Sequence, residues 1–290
     1  MRWKFWTSMA AISVGAITTF AACAPVTLLN SITPSGSYKL AKDIAYGDHA
    51  RQKYDIYQPD EPRGDAPVIV FVYGGSWDSG KKGMYKFIGE AFASNGYTTV
   101  VPDYRLYPEV KFPAFVEDTA AAVAAAANRY PDRSLVLVGH SAGAYNAVKV
   151  TVDHSYLREE GVDVCTAIAA TIGLAGPYGD PTMKAEPFIT IFPDRLAGQD
   201  GPINNIDGIK PPLFLAIGSE DTTVAAQHGI TLAERIKKVG GQVVNKVYPD
   251  LSHTGVIKVL SRYFDGESEL KNDMLAFVAA QPGKRETSCS

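Results

Sequence analysis

Leu135-Val136-Leu137-Val138 runs straight into Gly139-His140-Ser141-Ala142-Gly143, and an alanine-rich stretch of helical character follows. An apolar strand, a Gly-x-Ser-x-Gly turn and a helix together raise a serine onto a tight elbow, where its hydroxyl stands clear as a nucleophile. Gly139 and Gly143 suit that turn, which leaves little room for side chains beside the serine and asks for backbone angles that glycine accepts. The pentapeptide recurs by chance, so its flanks must agree with it. Here they agree on both sides, which commits the chain to a sheet strand that ends at Ser141 and a helix that returns across it.

The rest of the pattern extends that sheet. Asp43 to Tyr57 alternates in the manner of a hairpin turning near Gly47-Asp48. Apolar strand candidates then alternate with helical segments. Pro67 to Val72 precedes a helix around Met84 to Ser94, and Tyr97 to Val101 precedes one from Ala114 to Arg129. The helix after Ser141 is expected to run to about Leu157. Val164 to Ile172, Leu213 to Ile217 and Val243 to Tyr248 supply further strands, with a helix from Thr223 to Val239 and terminal helices around Val256 to Arg262 and Glu269 to Ala279. Continuous apolar strands separated by helices predict an α/β fold, a mostly parallel sheet with helices on both faces. Residues 173–212 interrupt the alternation with many Pro and Gly and the cluster Phe188 to Phe192, which predicts a small lid or pocket wall.

With 290 residues, 46% of them hydrophobic, the chain has ample material for one large domain, expected over residues 41–280. Net charge is −3 and no basic run is present, so nucleic-acid binding has no electrostatic support. Arg2 and Lys4 precede an apolar or small stretch from Met9 to Ala22, and the next charge is Lys39. That pattern predicts a signal segment over residues 1–22 and a linker over 23–40. Phe20-Ala21-Ala22-Cys23 resembles a bacterial lipoprotein cleavage box, with Phe20 where an aliphatic residue is usual. It predicts lipidation of Cys23, and the alternative is an uncleaved apolar anchor. Either tethers an exported protein to a membrane on its periplasmic or extracellular face. Cys165 opens the apolar run to Ala170 and reads as a small core residue. Cys289 lies in a polar, flexible tail over 281–290; free or paired with Cys165, it belongs to no recognisable disulfide framework.

A serine hydroxyl attacks only when a base takes its proton and an acid orients that base. On this topology the order along the chain is Ser, then Asp or Glu, then His. Asp221 follows the strand Leu213 to Gly218 directly, with Glu220 as the rival acid. Of five histidines, His253 alone lies on the loop after the final strand. The catalytic candidates are therefore Ser141, Asp221 and His253. Val70-Phe71-Val72 leads into Tyr73-Gly74-Gly75-Ser76-Trp77, whose small residues leave backbone N–H groups free to face a developing oxyanion.

These residues resemble those of the α/β-hydrolase superfamily. More narrowly, they are similar to the carboxylesterase branch related to hormone-sensitive lipase, bacterial feruloyl-esterase-like proteins and kynurenine formamidase. The resemblance covers about Tyr54 to Ala279 and includes Asp103-Tyr104-Arg105-Leu106-Tyr107-Pro108. In that family this segment is structural and holds the loop beneath the oxyanion region. The chain departs at Tyr73, where relatives usually carry His, and at Ser76, where many carry a third Gly. The resemblance implies an oxyanion hole from the N–H groups of Gly75, Ser76 and Ala142. It also implies no metal or organic cofactor, and a small-molecule ester of small or medium acyl length as substrate. An arylformamidase or peptidase of the same fold is the alternative chemistry, and a catalytically silent binding protein is the alternative class.

Overall fold

The computed structural model describes residues 28–179, 186–193, 200–206 and 210–289. The proposed signal segment and Cys23 lie outside them, as do parts of the 173–212 insertion. Eight strands form one sheet: β1 (Tyr38–Ala45), β2 (Lys53–Pro59), β3 (Val68–Val72), β4 (Thr99–Pro102), β5 (Leu135–His140), β6 (Ile168–Leu174), β7 (Leu213–Gly218) and β8 (Val243–Tyr248). Their spatial order is β1-β2-β4-β3-β5-β6-β7-β8. β1 pairs antiparallel with β2, and β2 with β4. Every other neighbouring pair is parallel. The central strands β3 to β7 are buried along their whole length because helices cover both faces. Edge strands β1 and β8 carry more exposed positions, as half-covered strands do.

Helix Ala114–Arg129 takes the predicted bounds. Elsewhere local chemistry moves the boundaries. The helix after Ser141 ends at Val152, and a second one, His154–Glu159, starts where the Asp153 side chain accepts from the Ser155 N–H. Val164–Ala167 is a helical turn rather than the start of β6, and Asp163 caps it by accepting from the Thr166 N–H. Cys165 therefore leaves the core. It is half-buried and forms a disulfide with Cys289 across 124 residues of sequence.

That bond corrects the expectation of a loose C-terminus. Ser134 N–H donates to Gly283 O (2.9 Å), Arg133 bridges Lys284, and Ser288 N–H donates to Cys165 O (2.7 Å). The linker over residues 23–40 is also shorter than expected. Residues 28–32 form a helical turn, Leu29 and Thr33 are buried, and β1 begins at Tyr38. No described helix is long and apolar enough to cross a membrane.

Candidate active site

Parallel strands end together, so loops after β3, β5, β7 and β8 gather at one edge of the sheet. Ser141 leaves β5 with φ 54° and ψ −122°, in a region that few non-glycine residues occupy. Close packing imposes this angle. A Cβ on Gly143 would sit 2.1 Å from Val72 O, and one on Gly139 would sit 2.3 Å from Gly143 O. The two glycines of the motif are thus required by backbone contacts on either side of the serine.

Ser141 Oγ lies 2.9 Å from His253 Nε2, and His253 Nδ1 lies 2.8 Å from Asp221 Oδ2. A carboxylate only accepts, so Nδ1 carries the proton towards Asp221 and Nε2 is left to take one from the serine. The Asp221 side chain has no exposed surface, and its other oxygen accepts from the N–H groups of Thr223 (2.8 Å) and Val224 (2.9 Å). Burial pushes the Asp221 pKa up, but the hydrogen bonds from His253 and those two N–H groups outweigh it and hold the carboxyl below its ordinary range. Glu220, the rival acid, is exposed and lines the pocket without reaching His253.

The N–H groups of Gly75, Ser76 and Ala142 have no acceptor among the described hydrogen bonds, and Gly75 and Ser76 line the same pocket as Ser141. Their loop is held from within, since Gly75 O accepts from the N–H groups of Asp78 (3.1 Å) and Ser79 (3.0 Å). Ser76 and Trp77 both take positive φ, 51° and 60°, and Gly75 takes 130°. Three donors kept free by a fixed backbone can meet an oxyanion without reorganising.

Two supporting residues carried no clear signal in the sequence. Trp77 is buried and donates from Nε1 to Asn146 Oδ1 (2.9 Å) on the helix behind Ser141. Its ring packs against Phe115, Tyr145 and Phe192, with centroids 5.6, 5.2 and 4.8 Å away. Phe188 and Phe192 of the insertion therefore brace the loop 74–79 through Trp77. None of the insertion's described residues lines the pocket, so these portions act as a buttress rather than as the lid or wall expected. His140, within the elbow motif, donates from Nε2 to His253 O (3.0 Å). Burial, helped by nearby His253, drives its pKa down to about 3, so it stays neutral while it holds the His253 loop.

The Asp103 to Pro108 segment is structural, as the resemblance implied. Asp103 Oδ1 accepts from Tyr73 OH (2.8 Å) and Lys82 N–H (2.6 Å), while Tyr104 OH donates to Tyr73 O (2.9 Å). Arg51 donates to Tyr73 OH at 2.8 Å. Tyr73 is thus a hydrogen-bonded anchor at the base of the loop 74–79. The pocket above has a volume of about 490 Å³. Its lining mixes polar residues (Glu220, Thr222, Ser252, Thr254) with apolar ones (Met84, Tyr85, Ile257).

A family model described as BD-FAE matches residues 54–177, the part from β2 through the elbow to β6. The isoprenylcysteine alpha-carbonyl methylesterase ICME of Arabidopsis thaliana is 24% identical over 272 residues, covering 84% of this chain and 63% of its own length. Esterase LipC of Mycobacterium tuberculosis is 26% identical over 228 residues, covering 70% of this chain and 56% of its own. The chain thus spans little more than half the length of these curated relatives. Among solved structures, Esterase B from Lactobacillus rhamnosis superposes with a TM-score of 0.77 at 19% identity, covering 90% of this chain and 92% of that one. That likeness, with the strand order and the helices on both faces, establishes the α/β-hydrolase fold.

Proposed function

We propose that this chain, an α/β-hydrolase of the carboxylesterase branch, cleaves carboxylic esters of small or medium acyl groups through an acyl-enzyme. The hydrogen-bonded line Ser141–His253–Asp221, opening onto the pocket beside three unengaged N–H groups, carries this reading. His253 Nε2 takes the hydroxyl proton as Ser141 Oγ bonds to the ester carbonyl carbon. The carbonyl oxygen becomes the oxyanion, and the N–H groups of Gly75, Ser76 and Ala142 receive it. The C–O bond to the alcohol then breaks, with His253 returning the proton to the leaving oxygen. Water, deprotonated by the same imidazole, releases the acid and restores Ser141.

A pocket of about 490 Å³, open and half apolar, is of ordinary size for a small-molecule substrate. Turnover of p-nitrophenyl esters of increasing acyl length tests the proposal. The expected result is hydrolysis that favours short to medium chains and is lost in Ser141→Ala; no hydrolysis of any member removes the esterase reading.

Attachment to a membrane is part of the same proposal. Lipidation at Cys23, or retention of the apolar stretch Met9 to Ala22, would hold the enzyme at a lipid surface on the exported side. Intact-mass measurement of membrane-extracted protein separates the two, and a soluble form lacking Cys23 contradicts both.

A further inference from the structure

The tether, if it acts as proposed, is short. The docking of residues 28–33 leaves four residues, Ala24 to Thr27, between Cys23 and Leu28, and the five steps reach about 18 Å at most. The docking itself is specific. Asn30 Nδ2 donates to Gly83 O (2.7 Å) and Asn30 Oδ1 accepts from Lys86 N–H (2.7 Å), so one side chain brackets Met84 and Tyr85. Both residues line the pocket that holds Ser141 and His253. Lys86 Nζ and Tyr263 OH close the contact on Thr33 O and Ile32 O.

On the outer side of this turn, Leu28 and Ile32 stand one helical turn apart on a single face and are 64% and 48% exposed; Tyr263 beside them is 49% exposed. Arg262 beside Tyr263 is ion-paired to Glu90 (3.3 Å), and exposed Asp265 and Glu267 follow, so the patch has no net basic rim. Its case for a lipid surface is therefore apolar: leucine, isoleucine and tyrosine enter an interface readily, and the patch begins where the N-terminal tether joins the domain.

We propose that Leu28, Ile32 and Tyr263 form a lipid-docking face that turns the pocket mouth towards the bilayer, so that the enzyme draws amphiphilic esters from the membrane surface. This rests on the esterase reading and on the N-terminal tether. Asn30, on the turn that carries Leu28 and Ile32, bonds to Gly83 and Lys86 on either side of the pocket residues Met84 and Tyr85, so the docking face and the pocket are joined through one side chain.

The test compares full-length wild type with Leu28→Ser/Ile32→Ser on two esters: p-nitrophenyl acetate in solution, and medium-chain p-nitrophenyl decanoate dissolved in phosphatidylcholine/phosphatidylglycerol vesicles. Losing two interfacial apolar side chains is expected to lower the vesicle rate roughly tenfold or more and leave the soluble rate unchanged. Equal rates on both, or parallel losses on both, overturn the proposal; the second result makes the turn a structural support of the pocket alone. A self-association that the double variant abolishes without altering the vesicle rate overturns it in favour of a second copy of the chain. Lipid contact is also read independently of turnover, with an NBD fluorophore at Ile32→Cys in a Cys23→Ser background. A blue shift on adding the vesicles supports the docking face even if neither ester is cleaved, whereas an unshifted spectrum overturns it.

Discussion

The side of the pocket built from residues 74–79 and Ser141 faces the side built from residues 220–223 and 252–254, and the two reach their geometry by different means. On the first, Gly75, Ser76, Trp77 and Ser141 all hold positive φ, and backbone atoms press so closely that Gly139 and Gly143 have no space for a methyl group. On the second, hydrogen bonds do the positioning: two N–H groups and an imidazole on Asp221, and His140 on the carbonyl of His253. An oxyanion hole made of backbone donors has no side-chain freedom to correct an error, so packing must fix it in advance. The acid and base are side chains and need only consistent partners.

Substitutions on the two sides should therefore fail differently. Asp221→Asn keeps the shape but lets the amide hold His253 in the wrong tautomer; hydrolysis should fall by about 10³–10⁴-fold with the thermal midpoint little changed. A fall matched by Glu220→Gln would erase the distinction between the two acids. Gly143→Ala attacks the packed side, where the new methyl meets the Val72 carbonyl. It should cost about 3 kcal/mol in urea unfolding, and activity with it, because the elbow must shift to fit. Stability close to wild type would mean that the elbow is less constrained than its contacts indicate.

His140 links the two sides and gives a smaller, pH-dependent effect. Its folded pKa of about 3 lies below the ordinary value of 6.5, so between those values the unfolded chain binds a proton that the folded chain refuses. Stability should then fall as pH drops through that window, by roughly 1.4 kcal/mol per pH unit at most. His140→Gln should flatten that slope in urea unfolding at pH 7 and pH 4.5, and an unchanged slope would assign the acid sensitivity elsewhere. Glu220→Gln is the smallest change expected, since an exposed carboxylate at the rim touches none of the three side chains.

Ser141, Asp221 and His253 were legible because each is tied to a strand end, and strand ends follow from apolar runs. The place of Gly75 and Ser76 at the pocket was legible for the same reason, since they are small residues soon after β3. The roles of Trp77 and Phe192 were not, because their contact joins residues far apart in sequence and an aromatic cluster reads as core wherever it falls. Cys165 was misplaced by its apolar neighbours: Asp163, whose capping role is evident only from the hydrogen bond it makes, starts a helical turn and rotates the cysteine out of the strand. The signal-like pattern and the lack of charge before Lys39 suggested a spacer over 23–40, yet within it Leu29 is buried and Asn30 bonds to the segment that carries Met84 and Tyr85.

The central claim is that Ser141 is the nucleophile of an acyl-enzyme. A fluorophosphonate, which reacts with activated serine hydroxyls, tests it most directly when adduct formation and ester hydrolysis are followed together. The account predicts one equivalent of adduct by intact mass, its assignment to Ser141 by peptide mapping, loss of hydrolysis in step with labelling, and no adduct in Ser141→Ala. An adduct on another residue, or hydrolysis in Ser141→Ala near the wild-type rate, would contradict it.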